Sequence, residues 1–322
     1  MTGSTASKKD KVNPVVSVVI VSDYAGGETN ARDDLRATLA ALARQDFEGP
    51  TEFLVSESAD IAQQVPSDLM TAALPSLKVV LSSASSSYAL KNDGVRAASA
   101  DIVAILDADC TPGPDWLRHL MDTMRDHPNA VAVSGRTVYA GGSLTERVLA
   151  LLSRSYLDPG RTGKTRFISN NNAGFRRSVF LTHPLPTDAG PFASRLQSEA
   201  ILRSGGRLLF EPRMRVVHEF AGWAMEWDIR RNIGYGTITT RLRDRALPYA
   251  WLARFGSASI PLFAVAKTMD SWWDCVRCGR QYGVRWYEIP VAFCLAIVVH
   301  VMEIPGMISA FQRREITETA YR

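Results

Sequence analysis

The run Ala100-Asp101-Ile102-Val103-Ala104-Ile105-Leu106-Asp107-Ala108-Asp109-Cys110 constrains this chain more than any other stretch. Five apolar residues, Ile102 to Leu106, stand between Asp101 and Asp107. Such a run reads as a short strand buried on both faces, as in a parallel sheet covered by helices. Asp107 and Asp109 follow at its C-terminal end. Alternate residues of an extended chain point the same way, so both carboxylates can face one crevice. In open α/β sheets ligands sit at that end of the strands. Two carboxylates side by side repel each other, and a divalent cation relieves the repulsion. Hard oxygen ligands suit Mg²⁺ or Mn²⁺ shared with phosphates. The plainer reading is a strand end with an Asx-turn, Asp109 capping a helix that begins near Asp115.

Other stretches stand around this one in a definite order. Ala89-Leu90-Lys91-Asn92-Asp93-Gly94 lies upstream, and Phe167-Ile168-Ser169-Asn170-Asn171-Asn172-Ala173-Gly174 and Pro212-Arg213-Met214-Arg215-Val216-Val217-His218 lie downstream. In this order they resemble the inverting family-two glycosyltransferases, from Pro14 to about His218. The resemblance implies the A-type nucleotide-sugar-binding fold: an α/β, Rossmann-like, mostly parallel sheet with flanking helices. It implies a nucleotide-sugar donor, a UDP-sugar above others, with Mn²⁺ or Mg²⁺ as cofactor. Asp107 then bonds ribose or metal, and Asp109 and His218 hold the metal.

Before the central run, Pro14 opens the β-branched stretch Val15 to Val21, a first buried strand. The loop Ser22-Asp23-Tyr24 follows. The resemblance places base and ribose contacts there, at Ser22 and Asp23, although the family's usual Pro-Thr-Tyr-Asn reads Val-Ser-Asp-Tyr here. Leu35, Leu39 and Leu42 at helical spacing mark an amphipathic helix over 33–44. Glu52 to Glu57 reads as a second strand, with Glu57 where the family carries an aspartate that bonds the base. Pro66 to Pro75 reads as a linker with a short helix, and Leu77 to Leu81 as a third strand. Lys91 and Asn92 open a helix that the resemblance sets beneath the diphosphate, where a helix N-terminus and a cation suit anionic oxygen.

Further on, Trp116, Leu117, Leu120, Met121 and Met124 mark a helix with one apolar face. Ala130 to Ser134 reads as a strand, Leu144 to Leu152 as a helix and Phe167 to Ser169 as a strand. The Asn170–Asn172 tip then leads through Gly174 into another helix. Asn amides both donate and accept, which suits sugar hydroxyls, and the resemblance puts Asn171 and Asn172 among the donor contacts. Inversion needs a carboxylate to take the acceptor's proton. The family supplies a Glu-Asp pair about eleven residues before a Gly that precedes a strand, a spacing that the resemblance implies. Counting back from Gly205 reaches Ala193-Ser194, so the pair is absent. Glu199 is the nearest acid and Asp188 lies upstream; these two are the candidate bases.

Composition bears on what surrounds this module. With 46% apolar and 22% charged residues, the chain of 322 is globular. Its net charge is only +4, but it is uneven: between Arg230 and Arg285 ten basic residues face only Asp244, Asp270 and Asp274. Trp251, Trp272 and Trp273 lie among them, and a basic, Trp-containing surface suits anionic lipid. No nucleic-acid-binding module accompanies the charge. Arg241 and Arg243 are candidates to steady the leaving diphosphate. Residues 246–269 are apolar but broken by Pro248, Gly256 and Pro261. Residues 289–302 are apolar for fourteen positions before Glu303, short of the ~20 a span needs. Four cysteines, including the Cys275-Val276-Arg277-Cys278 spacing, read as reduced thiols. Residues 1–13 are polar and read as a loose tail with no signal peptide.

The resulting expectation is a tail (1–13), a catalytic domain (14–220) and a helical, membrane-associated region (221–322). It places an inverting, metal-dependent glycosyltransferase at the cytoplasmic face of a membrane, with a lipid-linked or polysaccharide acceptor. The rivals are a sugar nucleotidyltransferase, which attacks phosphorus and releases pyrophosphate, and an inactive glycosyltransferase-like scaffold.

Overall fold

The computed structural model describes residues 13–21, 31–59, 74, 77–84, 86–218, 220 and 222–314. A nine-stranded sheet forms its centre, made of β1 (Val16–Val21), β2 (Thr51–Ser58), β3 (Leu77–Ser82), β4 (Ile102–Asp107), β5 (Cys110–Pro112), β6 (Ala130–Tyr139), β7 (Gly163–Lys164), β8 (Asn172–Arg176) and β9 (Arg207–His218). The order is β3-β2-β1-β4-β8-β6-β9-β5, with β7 on β9. β1 to β4 pair in parallel, β8 runs against both β4 and β6, and β6 and β9 are parallel.

The apolar runs explain this core. Val18, Ile20, Ala104 and Leu106 pack on one face, with helices α1 (Ala31–Leu42) and α3 (Trp116–Asp126). Val19, Val21, Val103 and Ile105 pack on the other. There they meet α2 (Ser87–Ala97), α5 (Arg177–Thr182) and α6 (Ala193–Arg203). A strand with helices on both faces has no solvent side, which is why β4 is apolar from Ile102 to Leu106 and β1 is apolar but for Ser17, whose hydroxyl donates to Glu52. β1 lies between β2 and β4, so the chain order reverses at the β1–β4 junction, and the crevice beyond their C-termini is the ligand position of such sheets.

Four elements differ from the sequence reading. α2 opens at Ser87, capped by Ser86, so Lys91 and Asn92 lie inside it and not at its start. Phe167 to Ser169 is not a strand; the strand is Asn172–Arg176 and contains Gly174. A Cβ on Gly174 would collide with Leu120, so the missing side chain lets α3 lie against the sheet. The strand read from Ala130 runs on to Tyr139. The apolar C-terminal segment is one helix, α9 (Ile289–Phe311), which continues through Glu303 and Pro305.

The C-terminal helices are α7 (Trp223–Arg243), α8 (Ile260–Cys278) and α9, with a 3₁₀ segment over Ala250–Ser259. They pack on one another and on α4 (Leu144–Arg154). A Cβ on Gly234 would run into Glu303 O, and one on Gly306 into Arg231 O. α7 and α9 therefore cross backbone to backbone. Their charged residues turn inward: Arg230 pairs with Glu226 at 2.6 Å, and Lys267 and His300 both engage Glu303. The stretch Trp286–Phe311 is long and apolar enough to cross a membrane, yet about half of it is covered by neighbouring helices.

Candidate active site

The site grows from two strand ends. Ala108 N donates to Val21 O at 2.9 Å, and Thr38 Oγ1 donates to Ala108 O at 2.7 Å. This pins the backbone between Asp107 and Asp109 to β1 and α1. The chain then enters β5, where Cys110 stands opposite His218 at the end of β9. That register brings Asp109 to the imidazole: Asp109 Oδ2 lies 2.9 Å from His218 Nε2. Tyr139, also opposite His218 on β6, backs the ring at 5.5 Å.

Lys91 reaches Asp107 from α2, with Nζ 2.7 Å from Oδ1. The helix sits close enough because Gly94, on the same face, has no Cβ to strike Val19. Burial raises the Asp107 carboxyl above the usual range; Lys91 opposes this and Asp109 adds to it. Burial also pushes on Asp109, but the His218 imidazole outweighs it and holds the carboxyl at about 2. One carboxylate is thus neutralised by an ammonium and the other is kept ionised by an imidazole.

Asp109 Oδ1 is buried with no hydrogen-bond partner among the described residues. The ligand atoms of Asp109, Cys110 and His218 lie within 4.8 Å of one another. A carboxylate with an unused lone pair beside an imidazole nitrogen is a fit donor set for Mn²⁺. The Cys110 thiol belongs to the support instead. Burial and the neighbouring carboxylates push its pKa well up, and it accepts from Asn171 Nδ2 at 3.5 Å.

Glu57 is fully buried at the same edge of the sheet, one residue beyond the pairing of Ser56 with Val21. Burial lifts its carboxyl to about 7, against a bond from Ser58 N. Asn171 accepts from Ser169 Oγ, which in turn is held by Arg154. Cys110, Ser169 and Arg154 were not picked out by sequence reasoning. Arg154 ends a helix of ordinary amphipathic pattern, and nothing local marks its approach.

Several residues expected at the donor make bonds within the protein. Asn92 gives its amide to Leu185, donating to its carbonyl and accepting from its N–H. Asn172 donates to Met214 O and Arg136 O and accepts from Trp116 Nε1, so it ties three elements together. Arg241 donates to Thr237 O and Pro248 O inside the helical region. Arg243 pairs with Asp188 at 3.1 Å on an exposed surface. Ser194 and Gln197 face the strand tip, where both accept from Asn170 Nδ2. Glu199 lies about 140° around α6 from Ser194, on the stripe shared by Arg195 and Arg203, so it turns away from the tip. Ser22 and Asp23 lie outside the described residues.

Residues 29–183 match the profile of Glycosyl transferase family 2. The chain carries a family 2 glycosyltransferase domain. Glu57, Lys91, Asp107 and Asp109 fall within it, and His218 lies beyond. Two curated relatives come from Haloferax volcanii. A glucosyl-dolichyl phosphate glucuronosyltransferase is 42% identical over 48 residues, 15% of each chain. Glycosyltransferase AglE is 26% identical over 192 residues, 58% of each chain. The chain therefore spans well under two thirds of both. Among solved structures, the mannosyltransferase PcManGT of Pyrobaculum calidifontis, in complex with GDP-Man and Mn²⁺, has the same fold. Its TM-score is 0.61 at 17% identity, covering 95% of this chain and 89% of that one.

Proposed function

We propose that the chain is an inverting, metal-dependent glycosyltransferase, with residues 14–220 as its catalytic part. It moves a sugar from a nucleotide-sugar, a UDP-sugar first among them, to a lipid-linked or polysaccharide acceptor. One observation carries this reading: Asp109, ionised by His218 and with a buried oxygen left unbonded, stands beside the Lys91-neutralised Asp107 at the switch point of a family 2 domain. Asp109 and His218 would hold Mn²⁺ or Mg²⁺, which when bound stabilises the departing diphosphate as a Lewis acid. Asp107 orients the ribose or shares the metal. Glu57 and the Ser22-Asp23 loop read the base. The acceptor oxygen attacks the anomeric carbon as the bond to the diphosphate breaks, and its proton passes to a carboxylate, with Asp188 the candidate once Glu199 turns from the tip. Relatives and fold neighbour support the donor class and, through the dolichyl phosphate relative, a lipid-linked acceptor. Residues 221–322 seat the enzyme on the cytoplasmic face of a membrane; the apolar α9 and four free thiols fit that placement.

The scaffold rival draws on Ala193-Ser194, where the family's acid pair would stand. The test is thermal melting with UDP, GDP, CMP and dTDP, each with and without Mn²⁺, on wild type and Asp109→Asn. A ligand that binds only the folded state raises the midpoint by mass action. We expect one nucleotide to stabilise wild type only with Mn²⁺, and Asp109→Asn to lose that effect. Glu199→Gln should keep both the shift and sugar transfer. Well-folded protein that answers to no nucleotide would favour the scaffold.

A further inference from the structure

A second cluster of charge lies away from the carboxylates, where α7 ends and the 3₁₀ segment begins. Arg241, Arg245 and Arg254 line a cleft there with Trp251, Ala250 and Ala253. Arg241 is only 6% exposed. Its two recorded bonds go to backbone carbonyls, Thr237 O and Pro248 O, and its guanidinium lies over the Phe263 ring. Among the described residues none of the three arginines has a carboxylate partner. The acids nearby are engaged elsewhere: Asp244 with Arg203, Asp188 with Arg243, and Asp270 with the Tyr249 hydroxyl. Burial, and then Arg195, lower the Arg241 pKa to about 10. Glu303 and Asp270 act on Arg241 only from a distance, and a buried guanidinium without a carboxylate in contact is costly. A phosphate in the cleft would supply three pairings at once, in the geometry that arginine suits.

The surroundings indicate what carries the phosphate. Trp251 and Phe255 are exposed beside Arg254 and meet edge to face at 6.3 Å. On α8, Leu262, Val265, Met269, Trp273 and Val276 are exposed at steps of three and four. That spacing is one apolar stripe along a helix. An apolar stripe bordered by Trp and Arg is the pattern of a helix lying in a bilayer interface. We propose that the cleft between α7 and the 3₁₀ segment binds the phosphate of an anionic lipid headgroup, with α8 lying in the interface beside it. The proposal rests on the membrane-surface reading above for the source of the phosphate; the cleft itself does not depend on it.

Co-sedimentation of the full chain tests this, with vesicles of phosphatidylcholine alone and of phosphatidylcholine with phosphatidylglycerol. Arg245 and Arg254 are exposed, so Arg245→Gln/Arg254→Gln should melt like wild type. Arg280→Gln/Arg285→Gln removes two other exposed arginines and serves as the control. Wild type should prefer the anionic vesicles. The cleft variant should lose roughly 30-fold of that affinity, at about fivefold per arginine, and the control should stay within about twofold of wild type. Equal loss in both variants would overturn the cleft in favour of diffuse charge. No binding of wild type to either vesicle would overturn the membrane reading. Stabilisation by inorganic phosphate that needs Arg245 and Arg254, without vesicle binding, would replace the lipid by a free phosphate. Glycosyl transfer is scored separately, so its failure is not mistaken for any of these.

Discussion

Glu57 shows how far one buried carboxyl can bear on stability. An ordinary glutamate titrates near 4.5, and Glu57 near 7. Between these values the folded chain keeps a proton that the unfolded chain has lost. Stability therefore falls as pH rises through this window and levels off above it. Glu57→Gln imitates the protonated form. It should melt near wild type at pH about 5 and above it at pH about 8, by up to about 3 kcal/mol at roughly 1.4 kcal/mol per unit. The same variant should lose nucleotide-dependent stabilisation if Glu57 contacts the base. Denaturant melts across the pH range decide it: a difference independent of pH would mean that Glu57 titrates as an ordinary acid. Asp109 shows the same physics with the opposite resolution, since the His218 imidazole outweighs burial there, whereas at Asp107 Lys91 only opposes the rise.

At the scale of elements, the helical region depends on a charge cluster enclosed by α7, α8 and α9. Glu303 is fully buried, and Lys267, His300 and Arg230 together overcome the burial cost and hold its carboxyl at about 2. Breaking a buried pair leaves a lone charge, at about 3–5 kcal/mol. Lys267→Met and Glu303→Gln should each cost about that much. The double variant should cost clearly less than their sum, and an additive double-mutant cycle would refute the coupling. This cluster also shows where sequence reading runs out. Period and apolar runs gave β1, β4 and α3, because burial on both sheet faces writes itself into consecutive residues. Glu303 in an apolar run reads locally as a break, since its partners lie 36 and 73 positions away at Lys267 and Arg230. Asp107, Asp109 and His218 were legible because strand ends and motif order place them. The side of α6 that faces Asn170 was not legible, because tertiary packing fixes it. The ties of Asn172 to Trp116, Arg136 and Met214 were hidden for the same reason: an amide suits a sugar and a strand-to-helix tie equally well.

The whole molecule divides its chemistry between two regions. Carboxylates and His218 gather at the C-terminal ends of the strands, while exposed apolar side chains and, among the described residues, the three arginines without a carboxylate in contact gather on the C-terminal helices. Besides the stripe on α8, α9 exposes Val291, Ile297, Val298, Val301 and Ile308. Soluble monomers rarely expose a contiguous apolar patch beyond a few hundred Å². The inner face of α9 meanwhile packs on α7 through Gly306 and Glu303, which favours a helix lying against the protein with one side open to lipid. The full chain should therefore run as a single species in mild detergent and associate progressively as detergent is removed. Val265→Gln/Val276→Gln, on the exposed stripe of α8, should reduce that association without lowering the melting temperature, since neither side chain is in the core. Size-exclusion chromatography with light scattering reads the outcome. A monomer that persists without detergent would mean that this face is satisfied in water and would remove the main support for its contact with a bilayer.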